Sequence, residues 1–366
     1  MCKFLVAIII KFGFVSLIFG QNLGQFDNEK QSGLDLKLVE TFHLSENDFL
    51  LSNITDISIG NNNSILVIND AGDRVIVYDE EGKEQTHIGG VGRGPFELLS
   101  PNLGKFTNDK IQIWDSSQLK LSIFNDDGIG IREYSGFRWA INDFMVNEED
   151  IYVLNSGKKN AKILEKYNLY GNKVDPLIGF VEKTNEHRFF ENIKPAVGMS
   201  VKADKIYFMS PSSLTLYSYD LSSDFLESVE LQDPDFYVPE VNNPESIWRT
   251  PSKVEEILRE ASRVTGLYHI GNYTVITAQL GKDTMNPRFQ QYTSENRFHR
   301  LYILNENLEH VETFRYDLFY EGKIFAGIWF AANNKLGYIS RQNIMDSPNN
   351  PDEISPYVVH LFKISY

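Results

Sequence analysis

The side chains able to do chemistry are few and widely spaced. The chain has seven histidines, His43, His87, His187, His269, His299, His310 and His360. No two stand in the His-x-x-x-His or His-Glu-x-x-His spacing that puts two imidazoles on one helix face around a zinc ion. The one cysteine is Cys2, too early to survive removal of a leader segment, so the mature chain is expected to have neither disulfides nor thiol chemistry. No Gly-x-Ser-x-Gly elbow or phosphate loop occurs. The turns Asp79-Glu80-Glu81-Gly82 and Asn125-Asp126-Asp127-Gly128 lack the alternating ligand series of a calcium loop and read as hairpin turns. Chemistry here requires a fold that gathers distant residues.

A repeat supplies such a fold. The segment Ile54 to Asp70, ITDISIGNNNSILVIND, is a strand, a polar turn and a second strand. The pattern recurs from residues 99, 139, 194, 263 and 324. A second hairpin follows most copies, as in RVIVYDEEGKEQTHIG (74–89) and KLSIFNDDGIGIREYS (120–135), with inward and outward residues alternating at period two. Four antiparallel strands per repeat cannot bury their own apolar faces, so the units must stack. The first two intervals, 45 and 40 residues, suit one propeller blade each. The last repeat ends one strand short at YVVHLFKISY (357–366), while LDLKLVETFHL (35–45) is a strand without a repeat of its own. Pairing the two closes the ring and removes both free edges. The sequence therefore predicts an all-β, six-bladed β-propeller of four-stranded antiparallel blades, closed by an N-terminal strand on the C-terminal blade.

The expected organisation is a signal segment at 1–20, a flexible lead-in at 21–34, and one propeller domain over 35–366. Residues 1–20 combine Lys3 and Lys11 with short apolar runs and end on Gly20, which suits an export signal, cleaved or retained as an anchor. That places the protein in the periplasm, at the cell surface or outside the cell, with no membrane span in the mature chain. Insertions fall at 231–263, 281–298 and 341–356. The first carries an amphipathic pattern, Val254, Ile257, Leu258, Ala261 and Val264, and predicts the mature chain's one helix within an insertion at about 244–264.

The run IGGVGRGPFELLSP (88–101) links two blades. It resembles the signature of six-bladed β-propeller proteins exported by Bacteroidetes and related bacteria, themselves relatives of NHL-repeat and TolB-like propellers. Gly92, Gly94, Pro95, Glu97 and Pro101 match that signature, whereas Phe96 stands in place of a glycine and Leu98 in place of a phenylalanine. The resemblance implies export and binding of a ligand or partner, and it implies no reaction.

The net charge is −15, and −17 without residues 1–20, which hold two lysines and no acid. This balance argues against nucleic acid, whose binders present a basic face, and against anionic lipid. Against that average, Arg93, Arg138, Lys194, Arg263 and Lys323 stand at or near the starts of innermost strands, with Trp139 and Trp329. Such a ring would attract an anionic small molecule, a sugar or a peptide carboxylate at the channel mouth; an envelope protein is the other expected partner. The alternative is a lyase or hydrolase acting on a sugar or peptide at the same face, with Asp56, Asp143 and His269 as candidate catalytic groups. No cofactor is expected, and a divalent metal in the channel stays open. A purely structural interaction protein is a third reading, and would show an apolar patch on the rim or the helix.

Overall fold

The computed structural model describes residues 26–28, 33–45, 51, 54–69, 74–107, 110–137, 140–147, 150–155, 162–170, 173–191, 193, 197–281, 298–317, 319–320, 323–324, 327–341 and 357–365. Six antiparallel sheets form around one axis. Their innermost strands are Ile54–Ile59, Pro101–Thr107, Ile141–Val146, Ser200–Lys202, Arg263–Ile270 and Gly327–Ala332. The sixth blade is completed by Asp35–His43, which pairs antiparallel with Tyr357–Ser365 in a register that sets Leu36 opposite Ile364 and Phe42 opposite Val359.

Second strands are buried along nearly their whole length, as in Ile65–Asn69, Lys110–Asp115 and Asp150–Asn155. Neighbouring blades cover both of their faces, which is why they read as continuous apolar runs rather than as an alternation. Outer strands keep the alternation or lose burial altogether, as in Phe225–Glu230.

The core is a ring of six inter-blade clusters. Leu66 and Ile68 of the first blade pack on Ile111 and Ile113 of the second; Trp114 of the second meets Phe144 and Val153 of the third. Corresponding clusters join blades 3 and 4, 4 and 5, and 5 and 6. Phe330 and Val359 against Ile54 and Ile57 close the circle. Each large apolar side chain buried this way contributes about 1.5–3 kcal/mol, so closure stabilises every blade rather than only the sixth.

Three differences from the sequence reading stand out. Phe26–Asn28, within the segment expected to be flexible, pairs with the edge of blade 5 as a fifth strand. Three helices occur among the described residues instead of one: Asn185–Phe190, Pro244–Trp248 and Pro251–Glu260. The first is too short for a periodicity signal, but Thr184 caps it, its hydroxyl accepting from His187 N at 3.1 Å. The third ends earlier than its apolar pattern suggests. Ala261 is extended, and Val264 belongs to the innermost strand of blade 5, where Arg263 pairs with Gln279. Strand pairing of a β-branched residue wins there over helical spacing. The helices share a small apolar core of their own, with Phe189, Phe190 and Val241 buried against Ile247, Val254, Ile257 and Leu258.

In the linking run 88–101 the Glu97 side chain fills the turn, accepting from Gly94 N at 2.6 Å. A Cβ on Gly92 would collide with that carboxylate. Phe96 has φ of 58°, the left-handed region that favours glycine. The phenylalanine thus keeps the backbone conformation that a glycine would adopt there. Its ring packs edge-on to Phe124 at 5.8 Å and occupies the space that a side chain at Gly130 would need.

Candidate functional site

Four innermost strands share one irregularity. Their pairing with the second strand slips by one residue after the first pair, or after the second in blade 5, leaving Thr55, Asn102, Asn142 and Thr265 as the extra residue. Each is a β-bulge, and each extra residue is a threonine or an asparagine. The bulge re-aims the residues that follow it. In blades 1 and 3 these are Asp56 and Asp143.

Both aspartates reach across to the next blade. Asp56 Oδ2 accepts from Gly104 N of blade 2 at 2.8 Å, and its Oδ1 accepts from Ile57 N at 3.0 Å. Asp143 Oδ2 accepts from Met199 N, beside blade 4, at 2.6 Å, and its Oδ1 from Phe144 N at 2.7 Å. Lys105 Nζ of blade 2 lies 2.5 Å from Asp143 Oδ1. Glycine at 198 leaves room for that carboxylate, since a Cβ there would lie 2.7 Å from Asp143 Oδ2.

These groups line a cavity of 230 Å³ on the central axis, to which every blade contributes. Ser58, Lys105, Asn142, Thr265, Tyr268 and Trp329 complete its polar and aromatic wall. Tyr268 donates its hydroxyl to Trp329 O at 2.7 Å, joining blades 5 and 6. Asn142 Nδ2 donates to Glu191 O at 2.8 Å, which ties the cavity wall to the segment between blades 3 and 4. Burial, reinforced by the nearby Asp143 charge, pushes the Asp56 carboxyl up to about 7 in spite of its hydrogen bond from Gly104. Burial likewise pushes the Tyr268 phenol up, with both aspartates adding to the effect.

The residues expected to act are only partly brought together. Asp56, Asp143 and Trp329 line the cavity. His269 does not: it packs on the Tyr207 ring at 4.5 Å and pairs with the Thr274 hydroxyl at 3.2 Å. Burial, aided by Lys202, drags its imidazole down to about 4. Arg93 is exposed on its loop, Arg263 Nε donates to Gln279 Oε1 at 3.2 Å, and neither lines the cavity. Arg138, Trp139, Lys194 and the Lys323 side chain lie outside the described residues, as does the expected signal segment. Sequence reading missed Lys105, Asn142 and Tyr268. The signal that marks Asn142 is the polar residue second in an innermost strand, visible once repeats are aligned on the bulge rather than on the turn.

A second polar group is fully enclosed. Lys183 Nζ donates to Glu191 at 2.5 Å and to Asn155 O at 2.8 Å. His187 lies 3.5 Å from the same carboxylate through Nε2 and meets Ser210 Oγ through Nδ1 at 2.9 Å. Burial keeps His187 below its usual range. Burial opposes ionisation of Glu191, yet His187 and Lys183 together hold its carboxyl low. With Lys183 and Glu191 side chains almost inaccessible, this is a structural clamp beneath the helix Asn185–Phe190. Among the described residues, no three His, Cys, Asp or Glu side chains gather as a metal centre requires.

Comparison with known proteins agrees with this architecture. A Bacteroides vulgatus protein of the DUF4221 family shares the fold with a TM-score of 0.67 at 13% identity, over 92% of this chain and 99% of its own. A Bacteroides fragilis protein described as exported gives 0.64 at 12% identity, over 93% and 98%. No curated protein matches. The profile of the family DUF5128, described as a 6-bladed beta-propeller, matches residues 30–317, and this chain belongs to that family.

Proposed function

We propose that this protein is an exported binding module whose central cavity holds a small polar group of its ligand. The observation that carries the reading is the convergence of polar side chains from several blades on one axial cavity of 230 Å³. Ligand pockets commonly span roughly 300–1,000 Å³, so this one suits a single sugar ring or the end of a longer molecule. Export is supported by the apolar leader of the sequence and by the structural relative described as exported.

A thermal-shift screen of the full chain against sugars, amines, carboxylates and short peptides tests this. A binder is expected whose stabilisation disappears in Asp56→Asn and persists in Arg93→Ala. Binding that depends on Arg93 and ignores Asp56 would move the site to the rim and return the anionic ligand class expected from the basic residues.

Hydrolase or lyase chemistry at the same cavity is a second reading, favoured by one observation. Asp56, with its carboxyl near 7, is suited to trade a proton at neutral pH. Turnover lost in Asp56→Asn while binding remains would support it.

A further inference from the structure

The polar inventory of the cavity is lopsided. Several of its donors are turned to the protein: Tyr268 to Trp329 O, one N–H of Asn142 Nδ2 to Glu191 O, and Thr265 towards Thr277 O at 3.2 Å. Lys105 directs one of its three N–H donors at Asp143. Acceptors are left over. Each oxygen of Asp56 receives a single backbone N–H and keeps a lone-pair direction, as does the Tyr268 oxygen after donating. The charges point the same way. Two carboxylates face one ammonium, so full ionisation leaves one negative charge uncompensated in a confined space. A bound anion would add to that excess, whereas a monocation cancels it. Tyr268, half-buried on the same wall, offers an aromatic ring, which attracts cations, whereas the Trp329 ring is packed on Tyr338 and Phe362.

We propose that the cavity recognises a protonated amine, which completes the charge balance of Asp56, Asp143 and Lys105. This rests on the cavity being the ligand site. Below about pH 7 and without the amine, Asp56 holds a proton, and the ligand must displace it. The groups facing Asp56 are Asp143, Lys105 and Tyr268; of these Asp143 holds the proton on Asp56 and also attracts the ammonium, whereas Lys105 weakens both.

Glucamine, sorbitol and gluconate share one six-carbon polyol chain and differ in carrying a positive, a zero or a negative charge. Ligand-observed NMR titration of the full chain at pH 5.5 and 7.5 should find glucamine bound at least about tenfold tighter than the other two at the higher pH. Its affinity should fall roughly tenfold per pH unit below about 7, as the proton competes. Asp56→Asn should abolish the preference, and Lys105→Met should strengthen glucamine binding, with the melting temperature of each variant confirming that it folds. Sorbitol binding as tightly as glucamine would overturn the amine assignment while leaving the cavity as the site. Gluconate binding tightest would overturn it in favour of an anion. Failure of all three to bind would overturn it as well, and the broader screen above would then decide separately whether the cavity binds anything.

Discussion

Lys105 Nζ lies 2.5 Å from Asp143 Oδ1 on the wall of the central cavity, across the interface of blades 2 and 3. Because Asp143 also accepts from Met199 N, one carboxylate ties three consecutive parts of the ring. Asp56 ties blade 1 to blade 2 in the same manner through Gly104 N. The two acids therefore hold neighbouring strands together at the place where they face the cavity, and their effects on stability and on binding need separate measurements.

Asp56 makes stability depend on pH in an unusual direction. Its carboxyl is raised from the ordinary 3.8 to about 7 by burial, so the folded chain binds the proton more tightly than the unfolded one. Its contribution to stability is full below about pH 4 and lost as pH rises through 7. Asp56→Asn should match the native protein near pH 4 and exceed it at pH 8, by at most roughly 4 kcal/mol and by less where solvent enters the cavity. Denaturant unfolding at the two pH values reads this directly; a native protein that gains on the variant as pH rises contradicts it.

Phe96 and Gly130 should behave as a coupled pair. Gly130→Ala meets the Phe96 ring and should cost about 1–3 kcal/mol by overpacking. In a Phe96→Gly background the ring is gone and the left-handed φ of 58° is relaxed, so the same alanine should be nearly neutral. A double-mutant cycle with additive effects would show that the contact is unimportant.

The Lys183–Glu191 pair is buried on both sides. Glu191→Gln strands the lysine charge and should cost about 3–5 kcal/mol, whereas Lys183→Met with Glu191→Leu should cost clearly less, because no charge is left unpaired. Since Glu191 also offers its backbone O to Asn142, the single variant should weaken cavity binding too. Equal stability of the single and double variants would remove the clamp interpretation.

Ring closure makes an early residue behave as core. Leu36 is 4% exposed opposite Ile364, and Leu36→Ala should cost about 2–5 kcal/mol in one cooperative unfolding transition. Val39, 44% exposed on the same strand, should tolerate alanine with little change. A separate early transition in Leu36→Ala would mean that blade 6 opens independently.

Most of the architecture was legible in the residues. Period-two alternation and the Asn- and Asp-rich turns mark hairpins locally, and the missing strand of the last repeat points to the unattached one at 35–45. The short helix Asn185–Phe190 was not legible, because six residues make too few turns for a periodic stripe. The helix expected to run on to Val264 stops at Glu260, because Val264 fits helical and strand patterns equally well and only its partner strand Tyr273–Gln279 decides between them.

The site divides along the same line. Asp56, Asp143 and Trp329 could be picked out by their positions in innermost strands, because the repeat fixes which strand is innermost. His269 sits on such a strand as well, yet it turns to Thr274 and Tyr207, and no repeat pattern says which way a side chain near a strand end will face. The blade count and the signature turn are set by local chemistry written in the chain, and the closure follows from the strand that the last repeat lacks. The pairing of Lys105 with Asp143, and the acceptor-rich cavity they help enclose, depend on residues of different blades meeting at the axis. That meeting follows from the packing of six sheets, so only the tertiary structure decides it.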